Sequence, residues 1–280
     1  MGVYLRLLVA CQVLVNLAGV VWERYRVVLL ASVMLPLAAV AVDLLDRLGV
    51  LEGEVLALTP SSPWGVITSA VVHGGFYHLY GNLQSFSFAT MLVLAAFMLS
   101  TVFIDDSRSA ARTHVRAFTA ALVLSQALPA LRLYVEAVAS GAHVVAYGLS
   151  QVVFGLMGLL ASTCAALAPL AALTAVEERV EVPRLPRAVL IASSSLLISS
   201  LMLLAVGFQE FLEALGMGMP TANVRGHVEA FVVGLVVGAA TLGWGYSRAR
   251  LTLAKLRRPS SSLGVEEARR RVIMKISRMP

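Results

Sequence analysis

Ser150 heads an apolar stretch in the run Ala146-Tyr147-Gly148-Leu149-Ser150-Gln151-Val152-Val153-Phe154. A serine hydroxyl is a nucleophile only when a neighbouring base takes its proton. Five histidines are available, at 73, 78, 114, 143 and 227. His227 falls in the first turn of a later apolar run, and a neutral imidazole suits the task because its pKa lies near working pH. His143, seven residues before Ser150, is a rival base in the connection ahead of it. His78 and Asn82 are four residues apart, so a helix puts them one turn apart on one face. Two side-chain donors in that relation can flank the oxygen that gains charge in acyl transfer. Each residue also has a plain alternative. Ser150 can hydrogen-bond a backbone carbonyl, His227 can bridge two helices, and His78 with Asn82 can clasp one helix to another.

Other chemistries fit less well. No carboxylate is placed to orient His227: Glu229 is two residues on and points to another face, and Asp105, Asp106, Glu177 and Glu178 lie at the far ends of their runs. A Ser-His dyad is therefore expected in place of a triad. Gly148-Leu149-Ser150 lacks the second glycine of the soluble hydrolase elbow, since Val152 stands there. There is no His-Glu-x-x-His, no pair of aspartates within a run and no glycine-rich phosphate cradle, so neither metal nor cofactor is expected. His73, five residues before His78, reads as a structural loop residue.

The elements that must carry these residues follow from composition. The chain has 280 residues, 59% hydrophobic and 14% charged. Soluble domains carry roughly a quarter charged residues, and apolar runs of this length can each cross a bilayer core of about 30 Å. The expectation is an all-α integral membrane protein with seven spans near 4–22, 27–45, 77–104, 116–137, 150–176, 188–208 and 224–247. The first two are joined by a tight hairpin at Glu23-Arg24-Tyr25-Arg26, and Pro169 kinks or stops the fifth early. Cys11 and Cys164, both in apolar runs, form no disulfide framework.

Charge orients the bundle. The connections 23–26, 105–115 and 177–187 and the tail carry most of the Lys and Arg, whereas 46–76 has Arg47 alone and 138–149 and 209–223 have none. The positive-inside rule places the first set in the cytoplasm, with the N-terminus outside and the C-terminus inside. His78, Asn82, Ser150 and His227 then share one depth in the outer leaflet, on three different helices. From Arg248 onward there are ten Lys/Arg and two Asp/Glu, a local +8 that leaves about −2 for residues 1–247 out of a total of +6. That is a tail suited to anionic lipid, including an amphipathic stretch from Gly264 to Ile276, and not a nucleic-acid surface.

The ordered motifs resemble those of the rhomboid intramembrane serine proteases. His73-x4-His78-x3-Asn82 is similar to the signature of that family, as are the preceding Pro63-Trp64 segment, Gly148-x-Ser150 with Phe154 and Gly158, and Gly226-His227 with Gly234 and Gly238. The resemblance spans roughly 27–247. It implies a six-helix catalytic core at 27–247, with an additional N-terminal transmembrane helix and hairpin at 1–26 and a basic cytoplasmic tail at 248–280. It further implies Ser150 as nucleophile and His227 as general base. His78, Asn82 and the Ser150 amide become the oxyanion donors, Phe154 stacks on His227, and Gly148 is a supporting residue. Helix 188–208 with the loop Gln209–Thr221 corresponds to the substrate gate and cap. Gln151 stands where the family usually has glycine, Ala230 where glycine is usual, Gly65 where arginine is common, and Met91–Leu99 lacks the family's acidic residue.

The expected activity is that of an intramembrane serine endopeptidase of the plasma membrane. It cleaves transmembrane-helix substrates that arrive laterally from the bilayer. Two alternatives stand beside it: a catalytically inactive rhomboid-like chaperone or adaptor, which Gln151 favours, and a small polytopic transporter, for which no internal repeat is evident.

Overall fold

The computed structural model describes residues 2–101, 107–142, 144–146, 148–177 and 224–248, with side chains over 18–101, 108–142, 144–146, 148–167 and 225–243. The expected gate helix 188–208, the loop 209–221, His143 and the tail beyond 248 lie outside the described residues.

In chain order the helices are α1 (Gly2–Arg47), α2 (Gly53–Leu56), α3 (Gly65–Thr68), a 3-10 turn (Ser69–Val71), α4 (Phe76–Ser100), α5 (Ser107–Ser140), α6 (Ser150–Glu177) and α7 (Val224–Arg248). Among the described residues there is no β-strand; Leu58–Ala146 and Thr59–Ser62 form isolated bridges. Five stretches are long and apolar enough to cross a membrane: Ala18–Arg47, Phe76–Ser100, Arg108–Ser140, Ser150–Leu167 and Arg225–Gly243. The apolar window of α6 is 72% buried, against 39% for the next, so α6 is the central helix. It packs on α7, α4 and α5. Phe86, Phe97 and Phe118 close the core from α4 and α5 around Leu149, Leu156 and Leu160.

Two helical segments meet across a kink at Tyr25 (φ −120°, ψ 17°), inside the expected connection 23–26, and together cover Gly2–Arg47. Tyr25, 2% exposed, is drawn into the bundle at that kink. The supposed loop 105–115 is helical from Ser107. Its arginines at 108, 112 and 116 occupy one exposed side while Ala110, Ala111 and His114 are buried on the other, an amphipathic pattern that charge alone disguised. At position 169 the helix does not stop: α6 continues to Glu177.

The end of the bundle away from Ser150 is joined by a buried polar chain. The Tyr25 hydroxyl lies 2.9 Å from His114 Nδ1, and Ser100 Oγ lies 2.9 Å from His114 Nε2. Ser100 donates to the Phe97 carbonyl at 2.8 Å, and the Phe97 ring stacks on His114 at 4.4 Å. One imidazole thus links α1, α4 and α5, with no exposed surface of its own. Removing one member leaves a buried polar atom without that partner, which costs about 1–3 kcal/mol. Tyr25→Phe is therefore expected to lower the unfolding free energy in detergent by that amount, and an unchanged thermal midpoint would argue against the chain as a structural clasp.

Candidate active site

The segment ahead of Ser150 is held from the side by residues 53–72. Leu58 and Ala146 exchange both backbone hydrogen bonds, at 3.0 and 3.1 Å, and the Gly148 N–H donates to the Ser69 carbonyl at 2.8 Å. Ser69 is itself anchored to α5, since Gln126 Nε2 donates to its hydroxyl at 3.1 Å. Trp64 Nε1 donates to the Val55 carbonyl and Thr68 Oγ1 to that of Leu56, which folds α2 against α3. This clamp brings the chain into Gly148 at φ +114°, a backbone state that side chains with a Cβ rarely adopt. A Cβ there would also sit 3.0 Å from the His78 ring and 3.3 Å from Asn82 Nδ2. Glycine is required twice over.

Beyond Gly148 the chain turns into α6. The first intrahelical bond runs from the Val153 N–H to the Leu149 carbonyl at 3.1 Å, so the amides of Ser150, Gln151 and Val152 precede it. Among the described residues these N–H groups have no acceptor, and with the positive end of the helix dipole they make the start of α6 favourable to negative charge.

His227 Nε2 lies 2.9 Å from Ser150 Oγ. The Phe154 ring, one turn along α6, stacks on the imidazole at 4.5 Å with 9° between the planes. That hydrogen bond and that stack fix the ring in position and in plane. α7 can come this close because glycines line its seam with α6. A Cβ on Gly234 would overlap the Gly155 carbonyl, and one on Gly158 would overlap the Phe231 carbonyl. Ala230, where the family usually has glycine, has no exposed surface.

Asn82 and His78 come from the first two turns of α4 and meet at Gly148. Asn82 is buried, and among the described residues its Nδ2 has no hydrogen-bond acceptor. His78 is exposed and takes the His73 ring edge-on at 5.2 Å. His73 lies between the 3-10 turn and α4. Burial first, and then the neighbouring His78, hold its pKa down at about 4, so it carries no charge near neutral pH.

Ser150, His227, Phe154, Gly148, His78 and Asn82 are therefore brought together at one end of the bundle. Gln151 is buried beside them, 7% exposed, and its amide makes no hydrogen bond among the described residues. Among those residues no carboxylate bonds His227, and no group of three or more His, Cys, Asp or Glu is arranged to hold a metal. Sequence reading left two roles unassigned. In the sequence Ser69 is only the end of the Pro63–Ser69 segment, and its role here is a backbone carbonyl, which leaves no mark in residue type. Arg132 lay within an apolar run, where an ionisable residue is costly and needs a partner; it bonds Glu229.

Compared with known proteins, the chain matches no family model, no curated protein and no solved structure.

Gly234→Ala forces α6 and α7 apart. Overpacking of that kind costs about 1–3 kcal/mol, so a matching loss of stability in detergent is expected; an unchanged unfolding curve would show that the seam has slack.

Proposed function

We propose that the protein is a rhomboid-like intramembrane serine endopeptidase working by a Ser150–His227 dyad. The observation that carries this reading is the 2.9 Å contact between Ser150 Oγ and His227 Nε2 at the head of a buried helix. A nucleophile and base in hydrogen-bond reach, with the base oriented by a third group, is the arrangement of covalent hydrolysis. Here the orienting group is the Phe154 ring.

In the mechanism, Ser150 Oγ attacks a peptide carbonyl while Nε2 takes the hydroxyl proton. The oxygen that gains charge accepts hydrogen bonds from the Ser150 amide, Asn82 Nδ2 and His78. His227 then protonates the leaving amine, and water releases the acyl group by the same route in reverse. Asn82 is suited to this, since a buried donor without an acceptor is costly and gains most when charge appears beside it.

The substrate is a transmembrane helix that arrives sideways from lipid and unwinds near the site. Support comes from the surface: α1 leaves Leu30, Val33, Met34 and Leu37 exposed, and α7 leaves Val232 and Val236 exposed, faces that lipid satisfies and water does not. The site end of the bundle carries Arg47 alone in residues 46–76, while Arg108, Arg112 and Arg116 mark the other end. The site then faces outward across the plasma membrane, with the basic tail at the cytoplasmic face.

Gln151 favours a second reading, an inactive adaptor that keeps the bundle without hydrolysis, because a buried side chain fills a place beside the nucleophile. Labelling purified protein with a fluorophosphonate separates the two. Wild type is expected to label and Ser150→Ala to lose labelling; equal labelling of both rejects the dyad. With a synthetic transmembrane substrate, His227→Ala is expected to slow cleavage by about 10²–10⁴-fold, and Asn82→Ala to lower kcat by about 10²–10³-fold. Loss of KM alone in Asn82→Ala would place that side chain in binding and not in charge stabilisation.

A further inference from the structure

Four charged side chains bridge α5 and α7 beside the site, and the mechanism above uses none of them. Arg132 Nε donates to Glu229 Oε2 at 2.7 Å, and its Nη1 to Glu136 Oε2 at 2.5 Å. Arg225 Nε donates to Glu229 Oε1 at 3.1 Å and its Nη1 lies 3.5 Å from Glu136 Oε1. The side chains of Arg132 and Glu229 are 23% and 30% exposed, and those of Arg225 and Glu136 are 68% and 48% exposed. The inner pair is the partly desolvated one, so it is less screened than the outer pair, which is worth little.

Position gives this pair its meaning. α7 begins at Val224 and His227 lies in its first turn, where a helix has the fewest backbone bonds of its own. Arg225 and Glu229 are four residues apart and share a face, while His227 lies about 200° round the helix from each. α7 is therefore gripped from two sides: α6 holds His227 through Ser150 and Phe154, and α5 holds Glu229 through Arg132. The glycine seam sets the distance between α6 and α7, but it begins at Phe231 and Gly234, a turn or more deeper. It does not set the rotation of the first turn.

We propose that Arg132 and Glu229 are positioning residues for His227: their ion pair fixes the rotation and depth at which α7 starts, so that the imidazole arrives in line with Ser150. The forked geometry suits that role. Arg132 is held by Glu136 on its own helix before it reaches Glu229, so its guanidinium is presented in one orientation. Displacement of a catalytic group by about 1 Å can cost about 10²-fold in rate.

The proposal rests on the hydrolase reading, and the test keeps the two apart. In Arg132→Met and in Glu229→Gln, kcat on a transmembrane substrate is expected to fall about ten- to a hundredfold while KM changes by less than about twofold. The outer Glu136→Gln is expected to lose less than about threefold. Inverting all four charges together (Arg132→Glu, Glu136→Arg, Arg225→Glu, Glu229→Arg) preserves every attractive pair and is expected to restore kcat to within about threefold of wild type. A general loss of folded protein would lower activity without this rescue. Unchanged kcat in Arg132→Met and Glu229→Gln, or an inverted quartet as slow as the single variants, overturns the proposal. Hydrogen exchange of the amides at 226–230 provides a readout independent of turnover: it is expected to speed up in Glu229→Gln, and unchanged exchange counts against the pair. Absence of Ser150-dependent turnover in the wild type rejects the hydrolase reading, and the exchange measurement still decides whether the pair holds the start of α7.

Discussion

The backbones of α6 and α7 meet at Gly155 and Gly234 with no room for a methyl group between them. Everything at the site depends on that approach. Ser150 lies about one turn N-terminal to Gly155 on α6, and His227 about two turns N-terminal to Gly234 on α7. Seryl and imidazole side chains are short, so two helices at the usual separation of 8–10 Å would leave little reach between them. Glycine removes the spacer. The seam also leaves α6 most deeply enclosed, with Leu156, Leu159 and Leu160 fully buried.

A second layer of restraint acts on the chain before Ser150. In a bundle of helices the described residues between α5 and α6 (141–142, 144–146 and 148–149) are irregular backbone, and irregular backbone among apolar helices needs partners. Residues 53–72 supply them through Leu58 and Ser69. What looks in sequence like a long connection is a folded clamp of two short helices and a 3-10 turn, and its products are the left-handed Gly148 and a helix start whose first amides have no acceptor among the described residues. Local geometry and proposed chemistry therefore share one cause.

Much of this was legible in the sequence, and the reasons for the rest are physical. Apolar runs located α4, α6 and α7 to within a few residues, since period and length suffice for a helix that crosses lipid. At 23–26 two arginines and a glutamate marked a break, and the helix does kink there, at Tyr25, whose ring is drawn into the core. The same reasoning failed at 107–115, where counting charge hid an amphipathic face with His114 at its centre. At the site, residue type and spacing singled out Ser150, His227, His78 and Asn82, which do meet. Glu229 was seen to face elsewhere, but its partner Arg132 lies 97 residues away in sequence, and no local pattern encodes that contact. Ser69 acts through a carbonyl, which every residue possesses.

The two imidazoles inside the bundle differ in one further respect. Both ring nitrogens of His114 are engaged, Nδ1 with the Tyr25 hydroxyl and Nε2 with that of Ser100. A ring flip there would break contacts to two helices at once. His227 bonds Ser150 through one nitrogen, and its other nitrogen has no hydrogen-bond partner among the described residues. Burial alone does not separate the two; the number of ring nitrogens already committed does, and by that measure the proposed base is the less restrained of the two.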